Sequence, residues 1–199
     1  MTRIADERRP TIVWDVDDVL NDLTWCWFHE CWLPHHPGCA VTYAEIHQNP
    51  PHELLGVGLE EYLASLDAFR LSERARHLTP NPAIARWLLE HGEPFRHMAL
   101  TARPLAFAGG AAEWVFRHFG AHIRCYGVVP TRLDPAAPVY DRDKADFLRW
   151  FREADYFIDD AEANIAAVAG LGVKTILFPQ AWNGATHSVD DALKLLVTS

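Results

Sequence analysis

Short apolar runs alternate with longer amphipathic stretches along most of this chain. The run Pro10-Thr-Ile-Val-Trp-Asp15 is apolar and rich in β-branched residues until its acidic end. A strand buried on both faces reads this way, without the strict alternation of a half-exposed one. Similar runs recur at Phe95–Leu100, His122–Val128, Tyr156–Ile158 and Val173–Phe178. Between them, apolar residues fall at helical spacing over Pro82–His91, Leu105–Phe119, Asp143–Arg152 and Ala161–Gly170. Pro82 and Pro104 stand where a helix start tolerates a missing N–H, and Gly92, Gly120 and Gly172 stand where helices stop. A last helix is predicted over Ser188–Val197, capped by Ser188 with Asp190 and Asp191 in its first turn. Strands alternating with helices predict an α/β fold: a three-layer, Rossmann-like parallel sheet with right-handed crossovers.

Residues 23–78 break the alternation, and a structureless loop of that length would be anomalous. Thr24–Leu33 and Leu59–Arg70 have helical composition, while Pro34–Gly38 and Asn49–Gly58 are rich in Pro, His and Gly. The segment therefore reads as a small helical cap over the carboxyl ends of the strands. Residues 1–22 and 79–199 then form the core domain.

Charge narrows the partners. With 18 basic and 27 acidic residues the formal net charge is −9, so no nucleic-acid polymer is expected to bind. A small anionic substrate stays open, because one metal ion and a few cations reverse a local field. Lysines number only three, Lys144, Lys174 and Lys194, so chemistry that needs one has few candidates. The first ten residues lack the apolar core of a signal peptide, and no apolar run approaches the roughly 18 residues needed to cross a bilayer. Four cysteines do not make a disulfide scaffold in a chain of this size. A cytoplasmic monomer or homodimer, without a membrane partner, is the expectation.

Candidate chemistry sits at strand ends, where open α/β sheets place their sites. Asp15-Val-Asp17-Asp18 follows the first strand, and Thr101-Ala102-Arg103 follows the second. Lys144 opens a helix, and Asp159-Asp160 closes another strand. Two carboxylates at one strand end can serve a metal and a substrate together.

The order Asp-x-Asp, Thr, Lys, Asp-Asp on alternating β and α units resembles the haloacid dehalogenase-like (HAD) superfamily. Its short 5'(3')-deoxyribonucleotidase-type branch is the most similar, over Asp15–Asp22, Leu78–Arg86, Leu100–Arg103, Trp114–Gly120, Asp141–Lys144 and Phe157–Ile165. Gln180-Ala-Trp-Asn183 also resembles a late turn of that branch. The resemblance implies strand order 5-4-1-2-3, a cap of the first type, and a phosphatase acting on a small phosphorylated substrate such as a nucleoside monophosphate.

By the same resemblance Asp15 is the nucleophile and Asp17 the general acid and base. Mg²⁺ is held by Asp15, the backbone carbonyl of Asp17, and Asp160, with Asp159 a ligand or a partner of one. Thr101 and Lys144 are catalytic and contact the phosphoryl group. Ala102 and Arg103 are substrate-binding candidates; Arg103 lies close enough to Thr101 to reach a substrate phosphate or carboxylate, or else pairs with an acid of the cap. Carbon–halogen cleavage needs no acid for its leaving group, so the second Asp favours phosphate esters. Phosphonatases use a cap lysine, and residues 23–78 contain none.

Weaker patterns stay open. Cys26, Cys31, His35, His36 and Cys39 are zinc-type ligands without a regular zinc spacing. Trp25, Trp27, Phe28 and Trp32 either pack the cap or stack on a flat substrate group, and Trp25 is the candidate for contact. Leu23 stands where the nucleotidases usually carry an aromatic residue. Asp18 reads as a residue that orients the loop. A non-catalytic relative that binds a phosphorylated ligand or a protein is the alternative.

Overall fold

The computed structural model describes residues 8–132 and 137–197; the signal-peptide reading of residues 1–7 lies outside them. Five strands form one sheet: β1 (Thr11–Trp14), β2 (Arg96–Arg103), β3 (Ile123–Pro130), β4 (Ala154–Asp159) and β5 (Lys174–Leu177). All neighbours pair in parallel, in the order β3-β2-β1-β4-β5, as the resemblance implies. β1 lies at the centre, with Trp14 level with Ala99 on one side and Ile158 on the other. The order reverses at β1, which puts a crevice at its carboxyl end.

Between β1 and β2 the chain is helical. It forms α1 (Leu23–Trp27), a π-helical turn (Phe28–Trp32), α2 (Leu33–His35), a 3₁₀ turn (Tyr43–Glu45), α3 (Leu59–Leu71), α4 (Glu73–Arg76) and α5 (Pro82–His91). Later come α6 (Leu105–Phe119), α7 (Lys144–Trp150), α8 (Glu162–Val168) and α9 (Val189–Lys194). Side chains cap the starts of α5, α7 and α9, of which the sequence suggests the one at Ser188. Asn81 accepts from the Ala83 and Ile84 N–H groups before α5, Asp143 from Asp146 before α7, and Ser188 from Asp191 before α9.

Alternation along β1 divides two cores although both faces are buried. Ile12 and Trp14 join Tyr156, Ile158 and Ile176 under α5, α6 and α9. Val13 joins Met98, Leu100 and Phe157 under α7 and α8. The first core runs on into the helical insertion, where Trp27, Phe28 and Trp32 are fully enclosed. For these three aromatics packing is the outcome. α3 buries Tyr62, Leu66 and Phe69 at helical spacing. Among the described residues no helix is long and apolar enough to cross a membrane.

The second strand outruns its apolar run. Ladder pairing continues through Thr101 with Val128 and Ala102 with Val129 to Arg103 with Pro130, so Thr101, Ala102 and Arg103 are strand residues rather than a following loop. β3 is an edge strand, and an edge tolerates the missing N–H of Pro130.

One core contact carries a pH dependence. His97 is 7% exposed; its Nδ1 accepts from Trp14 Nε1 at 3.2 Å and its Nε2 donates to the Gly92 carbonyl at 2.9 Å. A second proton would have to displace the indole, and burial pushes the ring down to about 4. The unfolded chain takes that proton near a pH of about 6.5. The contribution of His97 to stability is therefore full above that value and falls as pH drops toward 4, with roughly 2 kcal/mol of it lost by pH 5. Urea unfolding of wild type and His97→Gln at pH 7 and pH 5 checks this: between the two pH values wild type is expected to lose roughly 2 kcal/mol relative to the variant.

Candidate active site

Asp15 continues the β1–β4 ladder by one step, its N–H donating to the Ile158 carbonyl at 2.9 Å. Its Oδ1 accepts the Val16 N–H at 2.7 Å, which turns the carboxylate back onto the strand end. The next residues make one π-type turn, closed by Asn21 N–H on the Val16 carbonyl at 3.3 Å. Inside it Asp17 is extended and Asp18 is left-handed, with φ 62°. A non-glycine residue needs support there, and Asp tolerates it better than most. Thr24 N–H donates to Asp18 Oδ1 at 2.8 Å, and Gln180 Nε2 donates to its carbonyl at 2.6 Å. Asp18 thus ties the turn to α1 and to the segment after β5.

Lys144, 2% exposed at the start of α7, places Nζ 2.6 Å from Asp15 Oδ1 and 2.6 Å from Asp159 Oδ2. Burial works against its charge, but the two carboxylates outweigh that and hold the ammonium above its ordinary range. Asp159 ends β4 with no exposure, taking the Ala161 N–H at 2.9 Å and Asn164 Nδ2 at 3.0 Å. Asp160 follows, its Oδ2 accepting from Trp182 Nε1 at 2.8 Å and its carbonyl from Asn183 Nδ2 at 2.7 Å. Thr101, 1% exposed, accepts from Arg103 Nε at 3.1 Å.

Asp15, Asp159 and Asp160 each present an oxygen, all within 4.8 Å of one another. Burial raises the Asp15 carboxyl well above its usual range against the pull of Lys144, with Asp159 and Asp160 adding to the rise. Burial, then Asp18 and Asp159, pushes Asp160 up to about 7. Asp18 is pushed to about 8, mainly by burial. Four buried carboxylates around one ammonium leave the cluster short of positive charge. A hard divalent cation with oxygen ligands suits that deficit, so the donor set fits Mg²⁺.

Asp17 stands outside this group. Its Oδ1 receives Arg103 Nη2 at 2.7 Å and its Oδ2 receives Arg70 Nη2 at 3.2 Å. Burial raises this carboxyl, but Arg103 and Arg70 outweigh it and hold the group ionised, below the usual carboxylate range. Arg70 comes from α3 and also contacts Asp67, which pairs with Arg132 beyond β3 at 2.7 Å. The sequence reading missed Arg70, Asn164 and the roles of Gln180, Trp182 and Asn183. One signal for Arg70 was present: it lies four residues after Leu66 on the buried stripe of α3.

A cavity of about 160 Å³ is lined by Asp15, Asp17, Thr101, Ala102, Lys144 and Asp160. A second, of about 150 Å³, contains Arg76, Arg103 and Trp114 in its wall and shares Asp17, Leu23 and Arg70 with the first. Trp25 lines neither; it is 44% exposed and packs on His29 with ring centres 4.3 Å apart. The Cys and His residues of 26–39 do not gather. Among the described residues the aspartate trio is the one group able to hold a metal, while His36 stacks on Trp32 at 3.6 Å and His35 bonds the Cys31 carbonyl.

No protein-family model matches the sequence, and no curated protein does. Solved structures match along nearly the whole chain. A haloacid dehalogenase-like family hydrolase from Streptococcus pneumoniae gives a TM-score of 0.61 at 12% identity, over 95% of this chain and 97% of that one. A HAD-superfamily hydrolase of subfamily IA from Geobacter sulfurreducens gives 0.54 at 15% identity, over 96% and 98%. A 2-haloacid dehalogenase from Pseudomonas syringae gives 0.51 at 14% identity, over 95% and 98%. At such identities the shared property is the backbone architecture. The chain has the fold of the haloacid dehalogenase-like hydrolases, with a buried aspartate–lysine cluster at the carboxyl end of its sheet.

Proposed function

We propose that this protein is a Mg²⁺-dependent phosphomonoester hydrolase that works through an aspartyl phosphate on Asp15. The observation that carries the reading is one cavity into which Asp15, Asp17, Thr101, Lys144 and Asp160 all face. An Asp15 carboxylate oxygen attacks phosphorus while the ester P–O bond breaks, and the departing oxygen takes a proton from Asp17. Water then attacks phosphorus and gives a proton to Asp17; the bond to Asp15 breaks, and phosphate leaves. Splitting one displacement into two lowers each barrier. Lys144 and the Thr101 hydroxyl offset charge that develops on the phosphoryl oxygens. Asp15, the Asp17 carbonyl and Asp160, with Asp159 beside them, would hold Mg²⁺, which would supply further positive charge to the site.

The fold alone does not choose the reaction, since a dehalogenase shares it. Asp17 argues for phosphate esters, because a departing halide needs no proton. Between its two arginines Asp17 is in the form that accepts a proton from water. The donor form follows when the guanidiniums turn away. Residues 23–78 act as the cap, with Arg70 reaching from it to the core and water shut out as it closes. The four cysteines, all unpaired, suit the reducing cytoplasm proposed as its setting.

The substrate is a small phosphorylated metabolite. Nucleoside monophosphates enter the panel through the resemblance, although Leu23 rather than Trp25 lines the cavity. The test is phosphate release from nucleotides, sugar phosphates and phosphorylated acids, with Mg²⁺ and with EDTA. Turnover is expected with Mg²⁺ and is expected to fall by about a hundredfold or more in EDTA. If folded, Mg²⁺-loaded protein hydrolyses no ester, the reading gives way to a non-catalytic ligand-binding protein.

A further inference from the structure

Two buried guanidiniums converge on one carboxylate in the wall between the two cavities. Arg70 and Arg103 are 13% and 6% exposed in their side chains, and each takes a different oxygen of Asp17. One arginine belongs to the helical insertion and the other to the sheet. We infer that Arg70 and Arg103 form a subsite for a carboxylate on the leaving group, so that the substrates are phosphorylated small carboxylic acids. The inference rests on the phosphatase reading for its reaction, though not for its binding.

Four observations carry it. The pair already accommodates a carboxylate, that of Asp17, with one guanidinium nitrogen on each oxygen. Arg70 Nε is buried without a hydrogen-bond partner, which leaves a donor for one more acceptor; an unmet buried donor is costly. The chain of contacts Arg132, Asp67, Arg70, Asp17, Arg103 sets three cations against two anions. That local surplus is positive in a protein whose net charge is −9. Finally, Arg76 joins the pair in the second cavity, whose other walls include Leu23, Leu78, Phe107 and Trp114. Such a lining receives a short aliphatic chain that ends in an anion.

The two cavities share Asp17, Leu23 and Arg70, so one ligand reaches from Lys144 and Thr101 to the arginines. Asp17 holds the subsite as an internal stand-in. A substrate carboxylate takes its place, bridges insertion and sheet, and leaves Asp17 free to face the ester oxygen. A neutral ester draws neither arginine away.

The test compares two non-hydrolysable ligands of one length, 3-phosphonopropionate and propylphosphonate, by calorimetry with Mg²⁺. Wild type is expected to bind the carboxylated ligand about tenfold more tightly or better, the effect of charge-assisted bonds to a buried guanidinium. The ratio is expected to approach one in Arg70→Met and to be intermediate in Arg70→Lys, which keeps the charge and loses the fork. Equal affinities in wild type, or a preference unchanged in Arg70→Met, overturn the subsite. The matching esters, 3-phosphonooxypropanoate and propyl phosphate, separate the two readings. Equal kcat/KM for both esters removes the subsite and keeps the phosphatase. Hydrolysis of neither, beside a retained tenfold binding preference, removes the phosphatase and keeps the subsite.

Discussion

Replacing Asp15 by Asn is expected to lower phosphate release by about four orders of magnitude or more while leaving the protein at least as stable as before. An amide oxygen is a poor nucleophile, and loss of the attacking group removes the covalent route altogether. Folding responds in the other direction. Asp15 is buried beside Asp159 and Asp160, and burial together with their charge already disfavours its ionised form. A neutral isostere relieves that repulsion, and Lys144 keeps Asp159 at 2.6 Å. Phosphate release with Mg²⁺ and urea unfolding in EDTA measure the two halves. Activity within tenfold of wild type would mean that another group attacks phosphorus. A large loss of stability would mean that the cluster is not overcharged.

Lys144→Met is expected to do the opposite to stability. The Nζ is the one ammonium among buried carboxylates, touching two of them at 2.6 Å. Methionine fills similar volume but leaves Asp15 and Asp159 uncompensated, a change that costs about 3–5 kcal/mol in a buried pair. That is a large share of a domain's total stability of about 5–15 kcal/mol. A divalent cation restores part of the missing charge, so the variant's melting temperature is expected to rise more steeply with Mg²⁺ than that of wild type. The double variant with Asp15→Asn is expected to lose less than the two single effects would sum to. A Lys144→Met protein that melts like wild type in EDTA would refute this account of the cluster.

How much of this was legible beforehand depends on how local the cause is. The strands themselves and the positions of Asp15, Thr101, Lys144, Asp159 and Asp160 follow from features within a few residues of each: apolar runs, caps and acids at strand ends. The strand order does not, since periodicity is silent on which strands pair; it came from the resemblance alone. Arg70 had only its place on the buried stripe of α3 to mark it, and its partner Asp17 lies 53 positions away. Trp25 was hard to place for a different reason. α1 lasts five residues and then passes into a π-helical turn, which shifts the helical phase. Aromatics at 25, 27, 28 and 32 therefore cannot be assigned to one face from a period of about 3.6. Leu23 and Trp27 point inward, while Trp25 faces solvent. The end of β2 was invisible as well, since the polar residues Thr101 and Arg103 are held in the ladder by pairing rather than by burial of apolar surface.

The strand order also sets a schedule for synthesis. Among the described residues β1 is the first strand to be made, yet it occupies the middle of the sheet. It gains β2 only once residues 96–103 are made, and waits for β4 on its other side until residues 154–159 follow. Its Asp15 gains Lys144 and the Asp159–Asp160 pair at the same late stage, and the side chains of Gln180, Trp182 and Asn183 come later still. A nascent chain therefore carries an exposed apolar strand edge from the making of β1 until that of β4, the interval in which a chaperone has something to hold.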